Sequence, residues 1–210
     1  MAKVLIVDDH VVVRDGVKSV FNEQTSSVCF GEASMPQEAL KLVYEAEWDI
    51  VVLDISLGGR NGLELLKDIK QLRPKLPVLI LSMHAEEQYA QRAFKAGAGG
   101  YITKDCSRTD LFEAINKVLN GERYVSPALA DKLMLDVERD VDKPRHENLS
   151  DREFEVLCLI ASGKTLSEIA GLLGLSDKTI STYRARLMDK MGMKTNAELT
   201  HYAITQKLVE

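Results

Sequence analysis

The chain has 210 residues, of which 45% are hydrophobic and 28% are charged, and its formal net charge is -5. This composition is typical of a folded globular protein of one or two domains, and it excludes a disordered chain. No apolar run approaches the ~18 residues of a membrane span, and the N-terminus lacks the basic and apolar regions of a signal peptide. We therefore expect a cytoplasmic protein without a membrane segment, and three widely spaced cysteines fit a reducing compartment.

In the first 120 residues, short apolar runs alternate with segments of helical periodicity. Apolar runs occupy residues 4–7, 50–53, 78–81 and 101–103, and the helical segments are predicted at 11–24, 36–45, 62–72, 86–96 and 108–120. Such alternation predicts a parallel sheet with helices on both faces.

Polar side chains follow these apolar runs. Asp8 and Asp9 follow the first run, Asp54 follows the second, and Ser82 and Lys104 follow the last two. Because parallel strands bring their carboxyl ends to one edge of a sheet, we expect these groups to converge there. Crowded carboxylates on rigid strand ends suit Mg²⁺, and an Asp nucleophile beside a lysine can accept a phosphoryl group as an aspartyl phosphate.

Two other classes of site are disfavoured by spacing. The turn after the first strand is Asp-Asp-His, where a nucleotide-binding loop would need glycines, so the glycine pattern does not support dinucleotide binding. The four histidines have no metal-ligand spacing, and none is predicted to bind zinc.

In their order along the chain, these motifs resemble the receiver domain of two-component response regulators. The matching residues are Val-Asp-Asp-His at 7–10, Leu-Asp-Ile at 53–55, Gly-Leu-Glu at 62–64, Leu-Ser at 81–82, and Gly-Ala-Gly-Gly-Tyr-Ile-Thr-Lys-Asp at 97–105. The resemblance covers residues 1–120. It implies a flavodoxin-like α/β fold whose five parallel strands lie in the order 2-1-3-4-5.

By this resemblance, Asp54 accepts a phosphoryl group from a sensor histidine kinase. The groups implied to hold Mg²⁺ are Asp8, Asp9, Asp54 and the backbone carbonyl of Ser56. The residues implied to sense the phosphoryl group are Ser82, Lys104 and Tyr101, the aromatic side chain that turns inward when Ser82 moves.

Residues 121–148 are predicted to form a linker with one helix. Ser126 and Pro127 can begin this helix, and Leu129, Leu133 and Val137 keep helical spacing. The charged segment after Val137 ends in proline, so we expect it to be semi-flexible.

Residues 149–210 carry the start signals of four short helices. Three are capping boxes, in which a hydroxyl is followed three residues later by Glu, at residues 150–153, 165–168 and 195–198, and Ser176 caps the fourth helix. The helices predicted at 165–173 and 177–191 are joined by Gly174-Leu175-Ser176, which is the layout of a helix-turn-helix.

The second helix of this pair has a basic character. Residues 177–194 hold five basic and two acidic side chains. Ile180, Leu187 and Met191 share one face, which we assign to the core. The remaining surface suits the major groove of DNA, although an ordinary solvated helix has the same pattern. The residues predicted to contact DNA are Lys178, Thr179, Ser181, Thr182, Arg184, Ala185, Arg186 and Lys190.

This part of the chain resembles the LuxR-type helix-turn-helix domain. The matching residues are Leu-Ser-Asp-Arg-Glu-Phe-Glu-Val-Leu at 149–157, Ile-Ala at 169–170, Leu-Ser at 175–176, Lys-Thr-Ile at 178–180 and Ala-Glu-Leu at 197–199. The resemblance implies that the last helix serves dimerisation and that Ser181, Thr182 and Ala185 face the bases. None of these three is a long bidentate donor, so shape readout and phosphate contacts are expected to carry much of the specificity.

Together these features predict a DNA-binding transcriptional response regulator, and not a turnover enzyme. Mg²⁺-dependent phosphorylation of Asp54 would switch it, and the active form would be a homodimer on an inverted repeat of double-stranded DNA. A phosphohydrolase or phosphotransferase remains open, although Ser56 stands where such enzymes usually need a second Asp. A regulator that works through partner binding without phosphate also remains open.

Overall fold

The computed structural model describes residues 2–24, 28–57, 60–84, 86–126, 129–130 and 144–209. The chain divides into two compact units, Met1–Asp136 and Val137–Glu210. The predicted linker helix beyond residue 130 lies outside the described residues. No helix in the described ranges is both long and apolar enough to cross a membrane.

The first unit is built on a five-stranded parallel sheet. Its strands are β1 (Ala2–Val7), β2 (Val28–Ala33), β3 (Ile50–Leu53), β4 (Val78–Ser82) and β5 (Gly100–Thr103). They lie in the order β2-β1-β3-β4-β5, with every neighbouring pair parallel, so the predicted strand order is confirmed. The helices are α1 (Val11–Gln24), α2 (Pro36–Glu45), α3 (Gly62–Leu72), α4 (Glu86–Lys95) and α5 (Arg108–Leu119).

The core of this unit lies on both faces of the sheet. Strands β3 and β4 are buried at every residue, as expected where helices cover both sides. Helices α1 and α5 contact each other. On their face, Val4, Ile6 and Val52 pack with Phe21 of α1 and Ile115 of α5. The apolar runs of the sequence are therefore explained by two-sided burial, with alternate residues pointing to opposite faces.

The first unit continues beyond residue 120. The Tyr124 backbone N–H donates to the Gly99 carbonyl at 3.0 Å, and the Tyr101 N–H donates to the Tyr124 carbonyl at 3.4 Å. The Tyr124 side chain is buried in the same core as α1 and α5. At the predicted start of the linker helix, the Ser126 hydroxyl accepts from the Leu129 N–H at 3.2 Å. Part of the segment predicted as linker thus packs on the sheet.

A short hairpin, which the sequence analysis missed, follows β3. Residues Ser56–Leu57 pair antiparallel with Arg60–Asn61 and return the chain to the end of β3, where α3 begins. The Gly62 N–H donates to the Ile55 carbonyl at 2.7 Å. A Cβ atom added to Gly62 would lie 2.2 Å from the Asp54 carbonyl oxygen. This close approach of two backbones therefore requires glycine.

The second unit contains helices α6 (Asp151–Ala161), α7 (Leu166–Leu173), α8 (Asp177–Met191) and α9 (Asn196–Thr205). All three predicted capping boxes are present, at the starts of α6, α7 and α9, and the Ser176 hydroxyl caps α8. Between α7 and α8, Gly174 has a left-handed backbone with φ of 62°, which lets the chain turn tightly. The core side chains include Phe154, Leu157, Ile180, Leu187 and Leu199.

A 3-10 turn over Arg145–Asn148 precedes α6 and was not predicted. An Arg145 guanidinium N–H donates to the Met191 carbonyl at the end of α8, at 3.1 Å. The His146 Nδ1 atom lies 3.0 Å from the Tyr202 hydroxyl of α9. The turn therefore joins the C-terminal end of α8 to α9.

An ion pair joins the first turn of α6 to the last turn of α8. The Lys190 Nζ atom lies 2.7 Å from the Glu153 Oε2 atom. Burial raises the pKa of Glu153, but hydrogen bonds from Lys190 and Ser150 outweigh burial and hold that pKa below its ordinary value. The folded state therefore favours the ionised form of the Glu153 carboxylate.

Replacing Gly62 with alanine is expected to destabilise the first unit, because the new Cβ would overlap the Asp54 carbonyl oxygen. Overpacking typically lowers the free energy of unfolding by about 1–3 kcal/mol. Urea unfolding followed by the fluorescence of Trp48, the single tryptophan of the chain, measures this unit.

Gly16→Ala is the matched control, since nothing lies within 4 Å of a Cβ at that position of α1. Alanine inside a helix is about 0.5–1 kcal/mol more favourable than glycine, so this variant should be more stable than the wild type. Equal unfolding midpoints for the two variants would contradict the close-approach argument.

The stability of the second unit is expected to fall in acid partly through Glu153. Because the folded-state pKa lies below the ordinary value of 4.5, the contribution is complete above pH 4.5 and is lost as the pH falls through the folded-state pKa. Helix content measured by circular dichroism against urea at several pH values tests this. The loss should be smaller in Glu153→Gln, and an unchanged pH dependence in that variant would refute the assignment.

Candidate functional site

The structure brings the predicted carboxylates together at the C-terminal edge of the sheet. In the parallel register Val7 lies opposite Leu53, so Asp8 and Asp54 follow at neighbouring positions. The Asp54 N–H donates to the Val7 carbonyl at 2.9 Å, which continues the pairing to the site itself. One ligand atom from each of Asp8, Asp9, His10 and Asp54 lies within 4.8 Å of the others.

Lys104 reaches the same cluster from the end of β5. Its Nζ atom lies 2.7 Å from the Oδ2 atom of Asp8 and 2.7 Å from the Oδ2 atom of Asp54, and all three side chains are buried. Burial raises the pKa of Asp54, despite the opposing effect of Lys104. Burial lowers the pKa of Lys104, but its bonds to the two carboxylates outweigh burial and raise that pKa overall. Lys104 is therefore held as the ammonium form.

Ser82 and Tyr101 meet at the backbone of His84. The Ser82 hydroxyl accepts from the His84 N–H at 3.2 Å, and the Tyr101 hydroxyl donates to the His84 carbonyl at 2.8 Å. Both side chains are fully buried. Burial raises the pKa of Tyr101, so its hydroxyl stays protonated and acts as a donor. Tyr101 thus occupies an inward position beside the end of β4.

His84 and Asn61 belong to the site region, although the sequence analysis did not select them. The His84 Nε2 atom lies 3.0 Å from the Ser56 hydroxyl, and its ring stacks on Tyr89 with 4.4 Å between centroids. Asn61 is buried and caps α3 by accepting from the Leu63 N–H at 2.8 Å. The Asn61 position just before a helix is a recognisable cap signal, whereas nothing in the sequence marks His84.

The donor set suits a hard divalent cation. Asp8, Asp9 and Asp54 carry three negative charges and Lys104 carries one positive charge, which leaves a net charge of about -2 when all are ionised. The Asp54 Oδ1 atom is buried and accepts no hydrogen bond from any residue that the structure describes. Carboxylate oxygens on rigid strand ends are ligands that Mg²⁺ prefers, so this cluster could bind that ion.

The predicted DNA-contacting residues lie on α8. Ile180, Leu187 and Met191 are buried, which confirms the predicted core face. Thr179 and Arg184 are half-buried, and the exposed residues among those predicted are Lys178, Ser181, Thr182, Ala185, Arg186 and Lys190. The Thr182 hydroxyl donates to the Lys178 carbonyl one turn earlier, at 2.9 Å. A basic and hydroxyl-bearing surface thus remains on the helix.

Two of the predicted cations also bond within their own unit. The Arg184 Nε atom donates to the Asn196 side-chain carbonyl at 2.7 Å, at the start of α9. Lys190 pairs with Glu153, as described above. Within the described part of the chain, neither Lys178 nor Arg186 forms an ion pair. Arg186 is therefore the predicted arginine whose charge is least engaged by the fold.

Comparison with known protein families also divides the chain into two parts. The model for the response regulator receiver domain matches residues 4–116, and the model for bacterial regulatory proteins of the luxR family matches residues 147–203. The chain is 32% identical over 209 residues to the response regulator UvrY of Escherichia coli (strain K12), covering 99% of this chain and 96% of UvrY. It is 32% identical over 214 residues to the response regulator GacA of Pseudomonas aeruginosa, covering 100% of this chain and 99% of GacA.

Solved structures show the same architecture. RcsB from Salmonella enterica serovar Typhimurium, bound to promoter P1flhDC in the presence of phosphomimetic BeF3-, matches with a TM-score of 0.64 and 26% identity, covering 97% of this chain and 98% of RcsB. A LuxR-family two-component response regulator from Aurantimonas sp. SI85-9A1 matches with a TM-score of 0.61 and 34% identity, covering 66% of this chain and 99% of that chain. This chain therefore belongs to the two-component response regulators that join a receiver domain to a LuxR-type helix-turn-helix domain, and it is a DNA-binding transcription regulator rather than a turnover enzyme.

Proposed function

We propose that Asp54 accepts a phosphoryl group from a partner sensor histidine kinase in a Mg²⁺-dependent transfer. The observation that carries this proposal is the position of the Lys104 Nζ atom, 2.7 Å from both Asp8 and Asp54. In the transfer, the bond from phosphorus to the donor nitrogen breaks, a bond to an Asp54 carboxylate oxygen forms, and the freed imidazole of the kinase takes a proton from water. The Lys104 ammonium compensates the charge on the phosphoryl oxygens.

The Mg²⁺ ion would be held by Asp8, Asp9, Asp54 and the backbone carbonyl of Ser56, two residues after Asp54. When bound, the ion supplies charge neutralisation for the carboxylates and the phosphoryl oxygens. The buried, unbonded Oδ1 atom of Asp54 and the excess negative charge of the cluster support this role.

The switch would act through Ser82 and Tyr101. A Ser82 hydroxyl that turns toward the phosphoryl group gives up its bond from the His84 N–H, and the Tyr101 hydroxyl bonds the carbonyl of that same residue. A change at Ser82 can therefore reposition the segment to which Tyr101 is bonded. Phosphorylation would bias this two-state element and so the DNA-binding activity.

The DNA-binding unit would act as a homodimer on an inverted repeat in the cytoplasm. We assign residues 1–120 to the receiver, 121–148 to the linker, whose Tyr124 packs on the receiver sheet, and 149–210 to the DNA-binding domain. The exposed hydroxyl and basic residues of α8 support groove insertion, with phosphate contacts from its cations. Two α8 helices related by dimer symmetry would read two half-sites.

Asp54→Asn should abolish phosphorylation by acetyl phosphate in the presence of Mg²⁺, because the amide is a poor nucleophile. Intact-protein mass spectrometry measures the added phosphoryl group. A chelator of Mg²⁺ should prevent this addition to the wild-type protein. Asp15→Asn is the control, since Asp15 lies on the exposed surface of α1 and pairs with Lys18. A normally phosphorylated Asp54→Asn protein would refute the assignment, and sustained release of phosphate from a substrate would instead indicate a hydrolase.

Arg186→Ala should weaken DNA binding by the phosphorylated protein and reduce the magnitude of the salt dependence of log K by about one, as expected for one lost phosphate contact. Fluorescence anisotropy with a sequence selected from random DNA, at several salt concentrations, gives both quantities. Lys75→Ala is the control, because it removes the same charge from an exposed turn of the first unit. Equal salt slopes for the wild type and Arg186→Ala would contradict the predicted contact.

A further inference from the structure

His10 places a ring nitrogen beside the carboxylates of the receiver site. Its Nδ1 atom lies 2.7 Å from the Asp9 Oδ1 atom and 3.2 Å from the Asp8 Oδ1 atom. The His10 backbone N–H donates to the same Asp8 oxygen at 2.8 Å, which fixes the main chain at this position. The His10 side chain is 66% exposed, so the ring is accessible from solvent.

The four donor groups lie within one small volume. One ligand atom from each of Asp8, Asp9, His10 and Asp54 lies within 4.8 Å of the other three. Ligand atoms held about 2.0–2.3 Å from a shared divalent cation lie roughly 3–4.5 Å apart. The imidazole nitrogen therefore lies within the same small volume as the carboxylate oxygens.

A second observation points to a cation in this volume. Asp54 is only 2% exposed, and its Oδ1 atom accepts no hydrogen bond within the described part of the chain. Burying a carboxylate oxygen without a partner costs free energy unless a positively charged group interacts with it. Lys104 bonds the Oδ2 atom of Asp54, so Oδ1 is the oxygen left for a cation.

We propose that His10 is a nitrogen ligand of this cation site, so that the site binds first-row transition-metal ions such as Co²⁺, Mn²⁺ or Zn²⁺ with an affinity that depends on His10. The inference rests on the cation site of the proposed function and adds a ligand to it. Carboxylate and carbonyl oxygens suit Mg²⁺, whereas imidazole favours the transition metals. The bond of Nδ1 to Asp9 would be replaced by coordination through the nitrogen lone pair.

The test compares Mg²⁺ and Co²⁺ binding to the full-length protein by calorimetric titration. In His10→Ala, Co²⁺ affinity is expected to fall at least about tenfold, the lower end of the cost of losing a group that supports a metal, and by a larger factor than Mg²⁺ affinity. His10→Asn restores an oxygen donor and should keep the Mg²⁺ affinity without recovering that for Co²⁺. His201→Ala, which removes an exposed histidine of α9, is the control and should bind both ions like the wild type.

A direct spectroscopic readout accompanies the titration. The Co²⁺-loaded wild type should show a strongly shifted imidazole proton resonance and a visible absorption spectrum that both change in His10→Ala. An unchanged Co²⁺ affinity and spectrum in His10→Ala, with Mg²⁺-dependent phosphorylation of Asp54 intact, would refute the role of His10 alone. Absence of Mg²⁺ and Co²⁺ binding in the wild type would refute both this inference and the cation site of the proposed function. Failed phosphorylation with the expected Co²⁺ results would refute only the proposed phosphoryl transfer to Asp54.

Discussion

A single buried ammonium holds two carboxylates at the edge of the receiver sheet. Lys104 comes from β5, Asp8 follows β1 and Asp54 follows β3, so the two contacts of 2.7 Å tie three strands together where they end. Buried ion pairs often contribute little net stability, because desolvation offsets the attraction between the charges. For the function proposed above, their value would lie in preorganisation, since the ammonium and the carboxylates are already in place to meet a cation and a phosphoryl group. The raised pKa of Asp54 reflects the same burial.

In the second unit, the buried and the exposed residues of α8 have different contacts. The buried face of α8 packs against α6 and α7, while two of its basic residues bond neighbouring helices. The contact of Lys190 with Glu153 and that of Arg184 with Asn196 show that a positive side chain on a recognition helix can serve the fold. The basic residues of this helix thus fall into two groups, since Arg184 and Lys190 bond neighbouring helices, whereas Lys178 and Arg186 are exposed and form no ion pair within the described part of the chain.

The histidines show most clearly the limit of predicting site residues from their spacing along the sequence. His84 contacts Ser82, Tyr101 and Ser56. Its backbone N–H donates to the Ser82 hydroxyl and its carbonyl accepts from the Tyr101 hydroxyl, yet its neighbours in the sequence form no motif. His10 stood next to a recognised pair of carboxylates, but it was given no ligand role because histidine spacing along the chain was the only criterion. Groups that converge from strand ends and loops have no fixed spacing along the chain, so the spacing between histidines does not indicate which of them lies near such a site.

The sequence by itself determined the order of elements, the parallel sheet, the helix caps and the polar group at each strand end. Those features follow from local patterns, because burial on both faces selects continuous apolar strands and unsatisfied backbone donors select capping residues. Only the tertiary structure decided the hairpin before Gly62, the packing of Tyr124 on the sheet and the contact of Ser56 with His84, 28 residues away. These contacts depend on where loops bring distant segments together, and that is set by packing of the whole unit rather than by any local periodicity.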